Sequence, residues 1–358
     1  MHRILLFTRC MDSGGTETVI VQLAKCYREA GHRVVVCAED GPGAEKLRKL
    51  DIPFFPIPDM QKKSPAVAAK ILGCLLGLMR KEKIDVVHTH HRMAAFYAAL
   101  LQPLYGFVFL NNVHYIFQDK QRLTRFALKK AVHIAVGEAV KRNIMEHYGL
   151  PEETIRVIPN AVLPPVLSGK KDPLLEQLHR QGKFIIADVG RVSPEKGVDY
   201  YLEAAAVLKD KPFAFLVVGN GTRLEQMQQK AQQLQLTQSV HFIGFRTDVA
   251  DVMKETDLIV LPSLSEGFPL TPIEAFSVGR TIVATQVPGT LEIVTHEENG
   301  LVVPLQDPEA IAAAILRLYE DTALRAKLEQ GALQTYTQKF SYEAFKEKYI
   351  ALLQEVCP

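Results

Sequence analysis

The feature that most constrains this chain is a repeated alternation. Short apolar runs of strand character are followed by a turn and then by segments with helical apolar spacing. Arg3 to Thr8 opens the series. Val34 to Ala38, Phe54 to Ile57, Ile84 to His91, Phe107 to Asn111 and Ala131 to Val136 continue it. Runs this short and continuous read as strands buried on both faces, which a parallel sheet covered by helices provides. The alternation pauses at Leu163 to Asp172, where Pro, Ser, Gly and Lys break any apolar period. It resumes with Phe184 to Val189, Ala214 to Val218, Val240 to Ile243, Leu258 to Leu261, Thr281 to Ala284 and Gly300 to Val303. The expected fold class is α/β: two facing, Rossmann-like, doubly wound parallel-sheet domains. The domains are expected at residues 1–165 and 166–340, with a last helix over 341–358. A chain of 358 residues suffices for two domains of ordinary size.

Composition removes several function classes. The formal net charge of +2 is too small to argue for nucleic acid, so any basic surface must be local. Cys10, Cys26, Cys37, Cys74 and Cys357 are scattered, odd in number and without a C-x-x-C, which argues against a disulfide framework or a zinc site. Ile4 to Phe7 is too short for a signal-peptide core, and Ile71 to Met79 is about half of what a spanning helix needs. The expected location is the cytoplasm, with a peripheral position at the inner face of a membrane as an option.

The chemistry-bearing residues gather at strand exits. Glu266 and Glu274 are separated by seven residues across a strand–loop–helix junction, Ser263 to Ala275, that follows the run Leu258 to Leu261. Free backbone N–H groups at the helix start, near Leu270, can hold an anion between two carboxylates able to accept from hydroxyls. That combination suits a sugar nucleotide; the plainer alternative is a loop cap and a solvated helix residue. Arg191 and Lys196 share the loop Gly190 to Gly197, a guanidinium fork and a point charge whose flanking glycines allow close approach. Asn220 after one strand, and Gly244, Phe245 and Arg246 after another, lie where a base or ribose would rest. Near the N-terminus, Gly14 and Gly15 stand between a strand and a helix without forming the dinucleotide fingerprint. A tight turn needing positive φ explains that pair equally well. His88, His90 and His91 end the strand from Ile84, and strand alternation turns only one of His88 and His90 inward. The choice stays open, with His90 preferred. No carboxylate or cysteine stands at ligand spacing from them, so no metal is expected there.

The segment Glu266 to Glu274 resembles the Glu-x7-Glu signature of retaining glycosyltransferases of the GT-B fold, most closely the family 4 enzymes. Gly190-Arg191 followed, after four intervening residues, by Lys196-Gly197 is similar to that family's diphosphate loop. Ile158-Pro159-Asn160 resembles the element closing its N-terminal domain, and the resemblance implies that the last helix, over 341–358, crosses back to that domain. The resemblance spans nearly the whole chain and is stronger in the C-terminal half. It implies Glu266 and His90 at the donor sugar, Glu274 on the ribose hydroxyls, and Arg191 and Lys196 on the diphosphate. It also implies donor contacts from Gly14, Gly15, Gly190 and the run Glu266, Gly267, Phe268, Pro269, Leu270 and Thr271. Catalysis would fall to Glu266, His90, Arg191 and Lys196. Two departures stand out: Pro288 replaces a usual Gly in Gln286 to Glu292, and Pro269 offers no N–H.

The expected activity is metal-independent, retaining transfer of a sugar from a nucleoside diphosphate sugar to a hydroxyl acceptor. A glycan or a lipid-linked precursor of the cell envelope is the expected acceptor. No cofactor is called for beyond the donor as co-substrate. A nucleotide-sugar epimerase of the same fold and a non-catalytic nucleotide-sugar-binding protein are the alternatives. Two basic segments, Ser64 to Lys83 and Gln118 to Lys130, suggest contact with an anionic membrane.

Overall fold

The computed structural model describes residues 1–357 apart from residues 13, 63 and 118–120. Two compact units emerge: Met1–Ala161 together with Tyr342–Pro358, and Val162–Ser341.

The first unit is built on a parallel sheet of seven strands: β1 (Arg3–Cys10), β2 (Arg33–Glu39), β3 (Phe54–Pro56), β4 (Val86–Thr89), β5 (Val108–Val113), β6 (Val132–Ala135) and β7 (Ile155–Val157). Their spatial order is β3-β2-β1-β4-β5-β6-β7, and every pairing is parallel. The continuous apolar runs behave as expected: Ile4, Leu5, Leu6 and Phe7 are fully buried, with no polar face to turn outward. The order reverses between β1 and β4, so the loops leaving these neighbours diverge to opposite faces. That is where α/β sheets of this kind bind ligands. The Gly14 loop leaves β1 and His90 leaves β4.

Between β4 and β5 lies the helix Arg92–Tyr105, for which the sequence reading had no expectation. Pro103 sits inside its last turn, and Gly106, at φ 66°, ends it in the left-handed region. The helix Tyr342–Val356 joins this unit from the far end of the chain. Tyr342 Oη donates to Glu29 Oε2 at 3.1 Å and Lys346 Nζ pairs with the same oxygen at 2.8 Å. Its Phe345, Tyr349 and Leu352 are buried, the spacing that marks one helix face.

The second unit repeats the design with six strands: β8 (Phe184–Val189), β9 (Phe213–Val218), β10 (Val240–Gly244), β11 (Leu258–Leu261), β12 (Ile282–Thr285) and β13 (Gly300–Val303). The order is β10-β9-β8-β11-β12-β13, again all parallel, with the reversal between β8 and β11. Phe184, Ile186, Phe213, Phe215 and Val217 pack with Tyr201 and Leu202 of the helix Val198–Val207 and with Ile311 and Ile315 of the helix Pro308–Glu320. Because β8 and β11 are neighbours, the loop carrying Arg191 and Lys196 and the loop carrying Glu266 leave the sheet side by side.

Candidate active site

The two loops of the second unit are tied backbone to backbone: Leu264 N donates to Glu195 O at 2.8 Å. Gly197 explains how they come so close. It sits at φ +66°, and a Cβ there would stand 2.1 Å from Pro262 O, so only glycine fits. The opening turn of the helix Leu270–Ser277 is pinned to the sheet by Thr271 Oγ1, which donates to Val189 O at 3.1 Å. Gly289 closes the site from the other side. A Cβ there would meet Gly267 O at 2.3 Å, which brings the stretch Gln286 to Glu292 onto the Glu266 loop.

These constraints bring Lys196 and Glu266 together. Lys196 Nζ lies 2.6 Å from Glu266 Oε1, and Ser263 Oγ donates to the same oxygen at 2.7 Å. Both charged side chains are largely buried, at 22% and 10% exposed, so their mutual field is weakly screened. Arg191 stands exposed on the same loop. Ser193 Oγ donates to Glu195 Oε1 at 2.6 Å and shapes the turn between the two cations.

Sequence reasoning missed Asp188, one strand residue before Val189. It is buried, and burial pushes its carboxyl up to about 7; Lys196 pulls the other way and Glu266 pushes further up. A lone Asp inside an otherwise apolar strand was the available signal.

The remaining sequence candidates of this unit are placed as follows. Gly190 follows β8, and its N–H donates to Val218 O at 3.0 Å. Asn220 follows β9, and its backbone oxygen accepts from Val192 N at 3.0 Å, holding it beside the Arg191 loop. Gly244 ends β10 at φ +69°, and Phe245 is exposed beyond it. Arg246 is held by Asp172 at 2.6 Å and by Asp248 at 2.6 Å, so a base or ribose would compete with two carboxylates for its guanidinium. Phe268 is buried and meets Phe340 edge to face at 5.8 Å. Pro269 precedes the helix in extended conformation, Leu270 begins it, and Glu274 lies in its second turn, partly exposed.

Gly14, Gly15 and His90 belong to the first unit. Gly14 is extended, with φ −153°, and Gly15 starts the helix Gly15–Glu29, so the pair is not the positive-φ turn that was the alternative. The hydroxyl of Thr16, in that helix's first turn, lies 3.3 Å from Tyr115 Oη. Both His88 and His90 are buried and stacked, with ring centroids 4.6 Å apart. His90 lines a cavity of about 90 Å³ with His91, Asn111, Asn112, His114 and Tyr115, while His88 does not line it. His114, which sequence reasoning did not mark, contacts His90 Nδ1 through its Nε2 at 3.1 Å. Burial lowers His90 well below the ordinary imidazole value and takes His88 and His91 to about 4 and His114 to about 3. The cluster is therefore neutral at pH 7, able to accept or donate a single hydrogen bond per nitrogen. Among the described residues no group of three His, Cys, Asp or Glu is arranged to hold a metal ion.

Known proteins resemble this chain along both of its halves. The family model for Glycosyl transferases group 1 matches residues 173–335, and that for Glycosyltransferase Family 4 matches residues 13–164. The chain is 28% identical over 313 residues to the UDP-Gal:alpha-D-GlcNAc-diphosphoundecaprenol alpha-1,3-galactosyltransferase of Escherichia coli, covering 81% of this chain and 80% of that protein. It is 26% identical over 359 residues to the N,N'-diacetylbacillosaminyl-diphospho-undecaprenol alpha-1,3-N-acetylgalactosaminyltransferase of Campylobacter jejuni, covering 93% and 94%. In fold it matches the crystal structure of Anabaena Alr3699/HepE in complex with UDP and glucose, with a TM-score of 0.89, 22% identity and coverage of 99% and 100%. With both halves of the chain matched in order, it belongs to the group 1 glycosyl transferases of the family 4 type, with the GT-B fold, and is a glycosyltransferase.

Proposed function

We propose that the protein moves a sugar, with retained anomeric configuration and without a metal ion, from a nucleoside diphosphate sugar to a hydroxyl of a lipid-linked diphosphate glycan. The observation that carries this is the 2.6 Å approach of Lys196 Nζ to Glu266 Oε1. Departure of a nucleoside diphosphate builds negative charge on its phosphates, and catalysis needs fixed positive charge there. Lys196 supplies a point charge and Arg191 a guanidinium fork from one loop. Glu266 Oε1 holds the Lys196 ammonium at this strand exit. Once Lys196 turns to the phosphates, the Glu266 carboxylate is released to accept from a sugar hydroxyl. The route we favour is same-face attack assisted by the leaving phosphate and not a covalent glycosyl-enzyme. The donor is read as a UDP-sugar because UDP-Gal is named for the Escherichia coli relative and UDP is bound in the Anabaena structure. The acceptor is read from the diphospho-undecaprenol substrates in the names of two relatives.

A lipid-linked acceptor calls for access to a membrane. Of the two basic segments, the helix Pro65–Glu82 turns its apolar Ile71, Leu75, Leu78 and Met79 into the unit, which leaves little that is apolar to insert. The helix Gln121–Leu128 differs. Leu123 and Phe126 are exposed, Phe126 at 51%, and Leu100 and Leu104 of the helix Arg92–Tyr105 are exposed as well. Phe96 and Phe126 join the two helices, with ring centroids 5.8 Å apart. Arg122 and Arg125 of the helix Gln121–Leu128, and Lys129 and Lys130 just after it, are exposed as well. Lys120 lies outside the described residues. Exposed apolar side chains and exposed cations on one short segment match an anionic lipid surface, each cation contributing about 1 kcal/mol. No helix among the described residues is long and apolar enough to cross a membrane.

The test is incubation of the purified protein with a panel of UDP-sugars, with and without undecaprenyl-diphosphate-linked acceptors. Acceptor-dependent sugar transfer supports the proposal. Conversion of one nucleotide sugar into another without acceptor supports the epimerase, and binding without turnover supports a carrier.

A further inference from the structure

The imidazole cluster is braced from the far end of the chain. Asn112 Nδ2 donates to Tyr349 Oη at 2.6 Å, a hydrogen bond spanning 237 residues that draws the helix Tyr342–Val356 onto β5. With its amide so oriented, Asn112 presents Oδ1 to His88 Nε2 at 2.6 Å. An acceptor at that distance requires a proton on His88 Nε2. His88 Nδ1 is then an acceptor, and the Tyr27 hydroxyl, 3.2 Å away, donates to it. The chain Tyr27–His88–Asn112–Tyr349 thus uses both nitrogens of His88 and leaves it neutral.

His88 in turn is the surface on which His90 lies, with ring centroids 4.6 Å apart and planes 29° apart. The His114 ring centroid lies 5.4 Å from that of His90, and its Nε2 is 3.1 Å from His90 Nδ1. His90 Nε2 is buried, belongs to a ring that lines the cavity, and has no hydrogen-bond partner among the described residues. A polar atom left this way costs free energy unless a ligand group completes it.

We propose that Tyr349 and Asn112 are positioning residues for His90: their hydrogen-bonded chain locks the neutral His88 ring, and the locked ring holds His90 with Nε2 ready for a sugar hydroxyl. The proposal rests on the reading of His90 as a donor-sugar contact. In it, Tyr27 and Tyr349, which do not line the cavity, act through His88 and not on the sugar directly. The titratable side chains around His88 are Tyr27 from the helix Gly15–Glu29, Tyr349 from the helix Tyr342–Val356, His90 beside it and His114 beyond.

The substrate-free arm is nitrogen-15 NMR of the imidazoles in the intact protein. His88 is expected neutral with its proton on Nε2 from about pH 6 to about pH 8. A proton on Nδ1 instead, or an imidazolium at neutral pH, overturns the proposal whatever the protein transfers. The second arm uses Tyr349→Phe, which keeps the ring and removes the acceptor, and Asn112→Asp, which puts a carboxylate against His88. Tyr349→Phe is expected to lower kcat roughly tenfold with KM for the donor near that of wild type, as for other outer partners of a site residue. Asn112→Asp is expected to favour imidazolium at His88 and give a rate that recovers as pH rises, where wild type is flat. Wild-type kcat in Tyr349→Phe, or a wild-type pH profile in Asn112→Asp, contradicts the relay. If both variants misfold, the wild-type spectrum still decides.

Discussion

Lys196 and Glu266, seventy residues apart, meet with Nζ 2.6 Å from Oε1 where two neighbouring loops leave one parallel sheet. The pairing is a consequence of strand order. β8 and β11 are adjacent because the sheet reverses there, and Gly197 lets the first loop close on Pro262 of the second.

Removing the leaving-group charges is the first test. Lys196→Ala and Arg191→Ala should each lower kcat by roughly a hundredfold, since each deletes a charge-assisted hydrogen bond that strengthens as phosphate charge grows. The fold should survive because both residues sit on a loop. Lys196→Ala also takes from Glu266 its cation and leaves Ser263 Oγ donating to Oε1, so it should weaken stability more than Arg191→Ala. Steady-state kinetics alongside thermal melts check both statements.

Glu266 and Glu274 should separate in kinetics. Glu274→Ala is expected to weaken UDP and UDP-sugar binding alike, because a partner of the ribose hydroxyls serves the ground state and the transition state equally. Glu266→Ala should depress kcat with UDP affinity nearly unchanged. Calorimetric titration of UDP into both variants checks this, and equal affinities across wild type and both would remove Glu274 from the site.

The buried titratable groups set opposite pH trends. At His88 the fall from the ordinary 6.5 to about 4 corresponds to about 3 kcal/mol that is present above pH 6.5 and lost as pH falls toward 4. His91, His114 and His133 are lowered by burial too, so their losses fall in the same acid window. Asp188 works in reverse: raised from 3.8 to about 7, it contributes below pH 3.8 and loses that contribution as pH rises toward 7. Melting temperature should therefore drop steeply between about pH 6.5 and about pH 4.5, and Asp188→Asn should raise it at pH 8 with little effect near pH 4. A flat melting temperature across the acid window would speak against the neutral imidazole cluster.

Membrane docking predicts salt-sensitive flotation with vesicles containing anionic lipid. Arg122, Arg125, Lys129 and Lys130 replaced together by Gln should reduce it, and Phe126→Ser should reduce it further, without impairing transfer to a soluble acceptor analogue. Failure of the wild type to bind such vesicles at low ionic strength would leave the acceptor reading without its membrane.

Much of this was legible before any coordinates. The strands of both sheets announced themselves because residues buried on two faces leave no alternation to misread, as Ile4 to Phe7 and Leu258 to Leu261 show. Lys196 and Glu266 were legible as a pair of loop residues, but their direct pairing was not, since it depends on strand order. The expectation that strand alternation turns only one of His88 and His90 inward fails, because residues two apart in a strand share a face; both are buried with rings 4.6 Å apart, and the cavity that His90 lines tells them apart. Arg246 reads in sequence as a residue beside a base or ribose, and its two carboxylates, Asp172 and Asp248, are visible only in the fold. The hydrogen bond to Tyr349 was beyond reach, since nothing local links residues 237 apart.

The most direct test of the central claim, that protein cations carry the leaving diphosphate's charge, is sugar transfer by wild-type protein in excess chelator. Undiminished acceptor-dependent transfer in chelator, with a product anomeric coupling matching that of the donor, is the expected result. Abolition of transfer in chelator, restored by magnesium or manganese, would contradict it.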